Sequence, residues 1–346
     1  ISSRSSIRSS NRPVICLTNT RRLAGVCFTL LLLFGCATPK QTRSLLDAPP
    51  AGLPASVELD AIPFYPQERY QCGPAALATV LVARDIDVTP DELVPAVYIP
   101  ALRGSLREEI TATARRYGML AYPLQDSLAD LLREVAHGNP VIVFQNLGTR
   151  WLPRWHFAVV VGYDLPASEV ILRSGMTERW RTTLATFERT WSRGDHWALV
   201  VLPPGSLPAS ARPDSYLQAA HALESTGQPA AARKAWRAAT RQWPDDPRTF
   251  LALGNNLYAA GDYPQSVDAY LTATRLAPAD PQSWNNLAYA LMNTSCPQQA
   301  RLAAACAAGL APDEANYRNT VTEIMELTHG IDAAHCRPIN CQATSL

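Results

Sequence analysis

Gln67-Glu68-Arg69-Tyr70-Gln71-Cys72-Gly73-Pro74-Ala75-Ala76-Leu77-Ala78-Thr79-Val80-Leu81 places one cysteine at the head of an apolar run, and Trp155-His156-Phe157-Ala158-Val159-Val160-Val161-Gly162-Tyr163 places one histidine at the head of another. The first stretch predicts a helix over 72–83, with Ala76, Leu77, Val80 and Leu81 on one face and Pro74 tolerated in the first turn. The second, short and β-branched, predicts a buried strand. A thiol at a helix N-terminus meets unsatisfied backbone N–H groups and the positive end of the helix dipole, which favour thiolate. A thiolate engaged in acyl transfer needs an imidazole to move protons. A lone Cys in an apolar helix is by itself more often a small buried hydrophobe, and His156 between two aromatics could be a satisfied core residue. The two stretches together point to nucleophilic chemistry.

Outward from these stretches, residues 58–203 mix helix and strand signals. Leu106, Ile110, Ala114 and Tyr117 mark a second helix closed by Gly118. β-type runs follow at 140–144, 157–161, 169–172 and 197–202. Helices followed by strands is an α+β order. His137 and His196 stand in turn-like surroundings and read as structural or exposed. Trp151 and Trp155 could wall a groove beside His156 or cap the core. Residues 204–212, inside the Pro-rich stretch Pro203-Pro204-Gly205-Ser206-Leu207-Pro208-Ala209-Ser210-Ala211-Arg212-Pro213, read as a linker.

The remainder repeats. Leu223, Leu257 and Leu291 share one step, as do Tyr216, Phe250 and Trp284; Ala220, Gly254 and Ala288; and Pro213, Pro247 and Pro281. A period of about 34 with this placement of small, aromatic and Pro residues is the tetratricopeptide signature. Three units over 213–314 meet the usual minimum for a stable stack. Residues 315–346 are expected to hold a capping helix to about Thr328 and a Cys-bearing tail. The fold class expected is thus an α+β domain followed by an all-α solenoid.

The chain has 346 residues, is 47% apolar and 18% charged, and is close to neutral, so most of it should fold. Arg4, Arg8, Arg12, Arg21 and Arg22 fall in a first segment that has no acid, and the remaining chain is slightly acidic. Without a basic stripe, nucleic acid is not an expected partner. The apolar run Leu23–Gly35 behind Arg21-Arg22 is too short to span a bilayer comfortably and fits a secretion signal. Leu33-Phe34-Gly35-Cys36 resembles a bacterial lipobox, with Cys36 as the lipidated residue, and an ordinary cleaved signal is the alternative. Ala37 after the cysteine resembles sorting to the outer membrane. A start at Val14 or Leu17 would give this segment an ordinary signal length. Residues 1–36 are therefore read as a lipoprotein signal and the Pro- and Ala-rich 37–57 as a flexible tether. Localisation in a bacterial envelope, facing the periplasm, follows as an expectation.

Of the eight cysteines, Cys16, Cys27 and Cys36 belong to the signal segment. Cys296, Cys306, Cys336 and Cys341 cluster near the end, where an oxidising compartment would allow two disulfides in any of three connectivities. Metal binding with His335 is the alternative, and disulfides are preferred because no Cys-x-x-Cys pair is present. No metal and no cofactor are expected. Cys72, left unpaired in such a compartment, would be a liability unless it worked.

The Gln67…Gln71-Cys72-Gly73-Pro74-Ala75 block, with His156…Gly162-Tyr163, resembles the papain-like cysteine peptidases that trim double-glycine leaders from bacteriocins. It is most similar to free-standing, exported members that carry C-terminal tetratricopeptide repeats. The resemblance implies a papain-like fold over 58–203, Cys72 as nucleophile and His156 as base. It implies Gln67 as the oxyanion donor beside the Cys72 backbone N–H, with Gln71 as competitor. Where the family has an Asp-Pro step after the histidine, this sequence reads Arg173-Ser174-Gly175. Ser174 is thus the candidate orienting residue, and Asp164 a second one. Serine orients an imidazole without stabilising imidazolium by charge. No Gly-x-x-x-x-Gly-Lys-Ser/Thr loop is present, so ATP is not expected as a ligand. Two readings follow. One is a lipid-anchored envelope cysteine peptidase whose repeat groove docks a peptide or protein. The other is a weak or inactive papain-like adaptor that assembles an envelope complex through its repeats. Acyl transfer other than proteolysis fits the same thiol chemistry.

Overall fold

The computed structural model of the chain describes residues 38–67, 71–328 and 336–341. The proposed signal, Cys36 and His335 lie outside them.

Among the described residues, seven strands form one antiparallel sheet in the order β4-β9-β5-β6-β7-β8, with β1 paired to β6. They are β1 (Ser56–Glu58), β4 (Leu120–Pro123), β5 (Val141–Asn146), β6 (Trp155–Asp164), β7 (Glu169–Ser174), β8 (Thr177–Thr183) and β9 (Ala198–Leu202). The central strand β6 reads as a continuous apolar run because both of its faces are covered. Phe157, Val159 and Val161 enter one core cluster; Ala158 and Val160 enter the other. Register is set by β5, which opposes Val141 to Val160 and Gln145 to His156. Gly162 is glycine for a local reason: a Cβ there would lie 2.7 Å from the Val57 carbonyl of β1.

One face of the sheet carries α2 (Cys72–Val82), α3 (Pro90–Val97) and α4 (Arg107–Arg116), with Leu77, Leu81, Leu93 and Ile110 against the sheet. The sequence predicted one apolar face for α2. Every residue from Gly73 to Leu81 is buried instead. A helix that is apolar all round belongs inside a core, and α2 runs between the sheet and its companion helices. A short hairpin of β2 (Tyr98–Ile99) and β3 (Gly104–Ser105) links α3 to α4.

The opposite face carries α5 (Leu128–Ala136) and α6 (Leu184–Ser192). The same core continues into the first helix pair, α7 (Pro213–Ser225) and α8 (Pro229–Gln242), through Tyr216, Ala220, Leu223 and Trp236. Two further pairs follow: α9 (Pro247–Ala259) with α10 (Tyr263–Leu276), and α11 (Pro281–Asn293) with α12 (Pro297–Leu310). The helices α7 to α12 all begin with a Pro in the first turn, where its missing N–H costs nothing. The small residue at 254 has a visible cause: a Cβ on Gly254 would lie 2.5 Å from the Tyr270 ring. Helix α13 (Ala315–Leu327) closes the stack, with Ile324 in the last core cluster. Of the three connectivities open at the sequence level, the structure has Cys296–Cys336 and Cys306–Cys341.

One expectation is corrected. The stretch read as a flexible tether contains a docked helix, α1 (Lys40–Asp47), with Thr42 and Leu45 buried. Its N-cap residue, Pro39, provides no cap. The carboxylate of Glu188 on α6 does so, accepting from the backbone N–H groups of Gln41 at 3.0 Å and Thr42 at 2.6 Å. Among the described residues no helix is long and apolar enough to cross a membrane.

Candidate active site

Cys72 is the first residue of α2, and His156 the second of β6. Both line a cleft of about 900 Å³ together with Gln67, Ser105, Phe144, Trp155, Phe157 and Gly175. Among the described residues Cys72 is the one free cysteine, and it is half-buried. The backbone N–H groups of Phe157 and Gly73 lie near enough to its sulfur to favour thiolate. The Gly73 position admits no side chain, since a Cβ would fall 2.2 Å from the Ser105 hydroxyl.

The imidazole of His156 shares a hydrogen bond with the Ser174 hydroxyl, Nε2 to Oγ at 2.8 Å. Ser174 is buried at the end of β7. With Nε2 occupied, Nδ1 is the ring nitrogen left for proton transfer. Asp164 is not brought to the histidine. It lies at the other end of β6, accepts from the Ala167 N–H at 3.0 Å and pairs with Arg181 at 3.6 Å.

Gln67 is clamped to the turn after β7. Its N–H donates to the Gly175 carbonyl at 3.0 Å, and its Oε1 accepts from the Gly175 N–H at 3.1 Å. Gly175 adopts φ +58°, a left-handed conformation suited to glycine. With Oε1 so engaged, the amide Nε2 of this cleft-lining residue is the group left to donate. Gln71, the N-cap of α2, makes no side-chain capping bond and is not among the cleft-lining residues.

Electrostatics depart from the sequence-based expectation of a favoured thiolate. Burial pushes the Cys72 thiol above its ordinary value, and the N–H groups of Phe157 and Gly73 offset this only in part. Burial, then the neighbouring Arg154 guanidinium, push His156 down to about 4. Both shifts favour the neutral forms. Glu108 is the single carboxylate among the described cleft-lining residues, and none contacts the imidazole.

Of the two walls, only the first comes from a place that carried no sequence signal; the second holds Trp155, which the sequence offered as a wall. The first is the β2–β3 hairpin with the start of α4, bearing Leu102, Arg103, Ser105 and Arg107; strands of two residues are too short for a period to register. The second is the loop before β6. Trp155 at its end is 53% exposed and stacks on Phe144 at 5.0 Å, so it walls the cleft, whereas Trp151 is 95% exposed and stands apart from it. His137 contacts the Arg133 carbonyl at the end of α5, and His196 pairs with Asp126 at 2.8 Å; neither lines the cleft.

Residues 59–196 match the family model described as the Peptidase_C39 like family, and residues 213–256 and 254–295 match tetratricopeptide repeat models. The chain therefore carries a C39-peptidase-like domain followed by tetratricopeptide repeats. Its structure is similar to a C39-like peptidase from Bacillus anthracis, at 20% identity over 42% of this chain and 97% of that one, with a TM-score of 0.35. It is similar to a double-glycine-motif protease of an AMS/PCAT transporter in complex with a leader peptide, at 20% identity over 40% and 89% of the two chains, TM-score 0.31. A third similar structure is the peptidase domain of Streptococcus ComA, a bifunctional ABC transporter, at 18% identity over 41% and 98%, TM-score 0.33. No curated protein matches the sequence.

Proposed function

We propose that this chain, with its C39-peptidase-like domain and tetratricopeptide repeats, is an envelope cysteine peptidase, lipid-anchored through Cys36 and facing the periplasm, most simply from the outer membrane. The observation that carries the reading is the convergence of Cys72, His156 and Gln67 on one cleft, with Nε2 of the imidazole fixed by Ser174. In the proposed reaction Cys72 Sγ attacks the scissile carbonyl carbon while its proton passes to His156 Nδ1. The carbonyl oxygen, gaining charge, receives hydrogen bonds from the Cys72 backbone N–H and from Gln67 Nε2. His156 then returns the proton to the leaving amine. Water hydrolyses the thioester with His156 again as base. Because the thiol is held up and the imidazole down to about 4, the resting pair is neutral and the proton moves during attack. The repeats dock the peptide or protein and raise its effective concentration at Cys72.

A second reading is favoured by one observation, the serine hydroxyl where a carboxylate would stabilise imidazolium. On that reading the domain is a peptide-binding adaptor. The two separate when the chain from Ala37 onward is incubated with a proteome-derived peptide library and new N-termini are read by mass spectrometry. A peptidase yields termini that vanish in Cys72→Ala and His156→Ala. Equal termini in wild type and Cys72→Ala, with peptides still retained on the protein, would sink the peptidase in favour of the adaptor.

A further inference from the structure

We propose that the cleft selects peptides carrying an acidic side chain close to the scissile bond, with Arg103 and Arg154, from two separate lining segments, as the residues that read it. The inference rests on the peptidase reading for the word scissile, but the selectivity itself is a property of the cleft.

Both arginines are carried by backbone that is built rather than loose. Arg103 follows the turn Pro100–Leu102 at the tip of the β2–β3 hairpin, at φ 49° and ψ 44°. A left-handed conformation is costly for a non-glycine residue, and its N–H is held by the Pro100 carbonyl at 3.1 Å. Arg154 ends the loop before β6. Its N–H donates to Oδ1 of the buried Asn146 at 2.9 Å, the same oxygen that holds the Gly148 N–H at 2.9 Å, and its carbonyl accepts from the Leu147 N–H at 2.9 Å.

Charge is not spent elsewhere on either side chain. Arg179, Arg181, Arg212 and Arg248 each have a carboxylate partner, and Arg107 of the same cleft pairs with Asp195 at 3.3 Å. Arg103 and Arg154 have none among the described residues. Both line the cleft that holds Cys72 and His156, where Glu108 is the one carboxylate among the described lining residues, so the described lining keeps a positive excess. The charge of Arg154 is also felt at the imidazole. On the hairpin wall the Ser105 hydroxyl, against Gly73, is buried without a partner. A guanidinium fork matches a carboxylate, and a cleft of one sign focuses its field on an incoming ligand. An acidic side chain entering the cleft supplies the carboxylate partner that these two cations lack among the described residues. It also screens the cation that disfavours imidazolium, so the anionic substrate eases the proton transfer it needs.

The test uses the chain from Ala37 onward, both domains included. A proteome-derived peptide library is digested by the wild type and by Arg103→Glu/Arg154→Glu, and the same library is captured on Cys72→Ala with and without that double change. Circular dichroism checks that the exposed substitutions leave the fold intact. The expected result is Asp or Glu enriched near cleavage sites and in captured peptides, roughly tenfold over neutral analogues at low salt, and lost or turned toward Lys and Arg by the double change. Enrichment that survives charge reversal, or no enrichment among cleaved and captured peptides, overturns the proposal. A library neither cleaved nor captured overturns it as well. Arginine-dependent capture of acidic peptides with no cleavage would remove the peptidase reading and leave the selectivity standing.

Discussion

Ser174 is the residue on which the chemistry turns. Its hydroxyl holds Nε2 of His156 at 2.8 Å, which fixes the ring without adding charge. The imidazolium therefore gains nothing against burial and Arg154, which push His156 down to about 4. The sign of the pH dependence follows. A depressed imidazole stays a usable base as pH falls, so the acid limb of kcat/KM should lie near 4. The raised thiol puts the midpoint for iodoacetamide labelling of Cys72 above the ~8.5 of a free thiol. Replacing Ser174 by Asp places a carboxylate on Nε2, which favours imidazolium and through it thiolate. The labelling midpoint should fall by about one to three pH units and cleavage should quicken. An unchanged midpoint in a folded Ser174→Asp protein would show that Ser174 does not govern the imidazole. The sequence named Cys72, His156, Gln67 and Ser174, preferring Gln67 to Gln71 and Ser174 to Asp164. The contacts behind those choices, the Gly175 turn that holds Gln67 and the Ser174 hydroxyl on the imidazole, join residues 108 and 18 apart and are not local properties of the chain.

At the scale of single elements, α1 shows why some structure leaves no mark on the sequence. It begins after Pro39, which offers no side-chain cap, and takes its cap from Glu188, 146 residues away from Thr42. No window of residues around 40–47 contains that information. Removing the carboxylate by Glu188→Ala strands the Gln41 and Thr42 N–H groups and the Thr42 hydroxyl, at a cost of about 1–3 kcal/mol. Trypsin should then cut after Lys40 and Arg43 well before it attacks the sheet; a digestion course identical to wild type would mean that α1 is held by Leu45 and Thr42 packing alone. The β2–β3 hairpin is illegible for a related reason, being shorter than any period. By contrast, α2, β6 and the helix pairs were legible because burial imposes helical spacing, apolar runs or a repeat of about 34 on neighbouring residues.

Across the whole molecule the C39-like domain and the first repeat are one packed body. The first core cluster runs from Val141 and Leu172 in the sheet to Tyr216 and Trp236 in the repeat. The connecting segment is stitched down by the fully buried Glu134, which accepts from the Ala209 N–H at 3.2 Å, the Ser210 N–H at 2.7 Å and the Asn139 side chain at 2.8 Å. Glu134→Ala leaves these donors without partners and should cost about 2–4 kcal/mol. Calorimetry should show the wild-type domain and first repeat unfolding together, and the variant unfolding earlier. A variant with wild-type melting behaviour would mean that the apolar core alone couples the parts. The sequence by itself determined the α+β domain, the tetratricopeptide period, the thiol and the imidazole. Each is written in residue types at short, regular spacing, because a helix or strand buries its own neighbours. Only the tertiary structure decided the disulfide pairing, the Ser174 contact, the docking of α1, the arginine-bearing walls and the shared core. Those rest on contacts between residues far apart in the chain, whose energies no local pattern records.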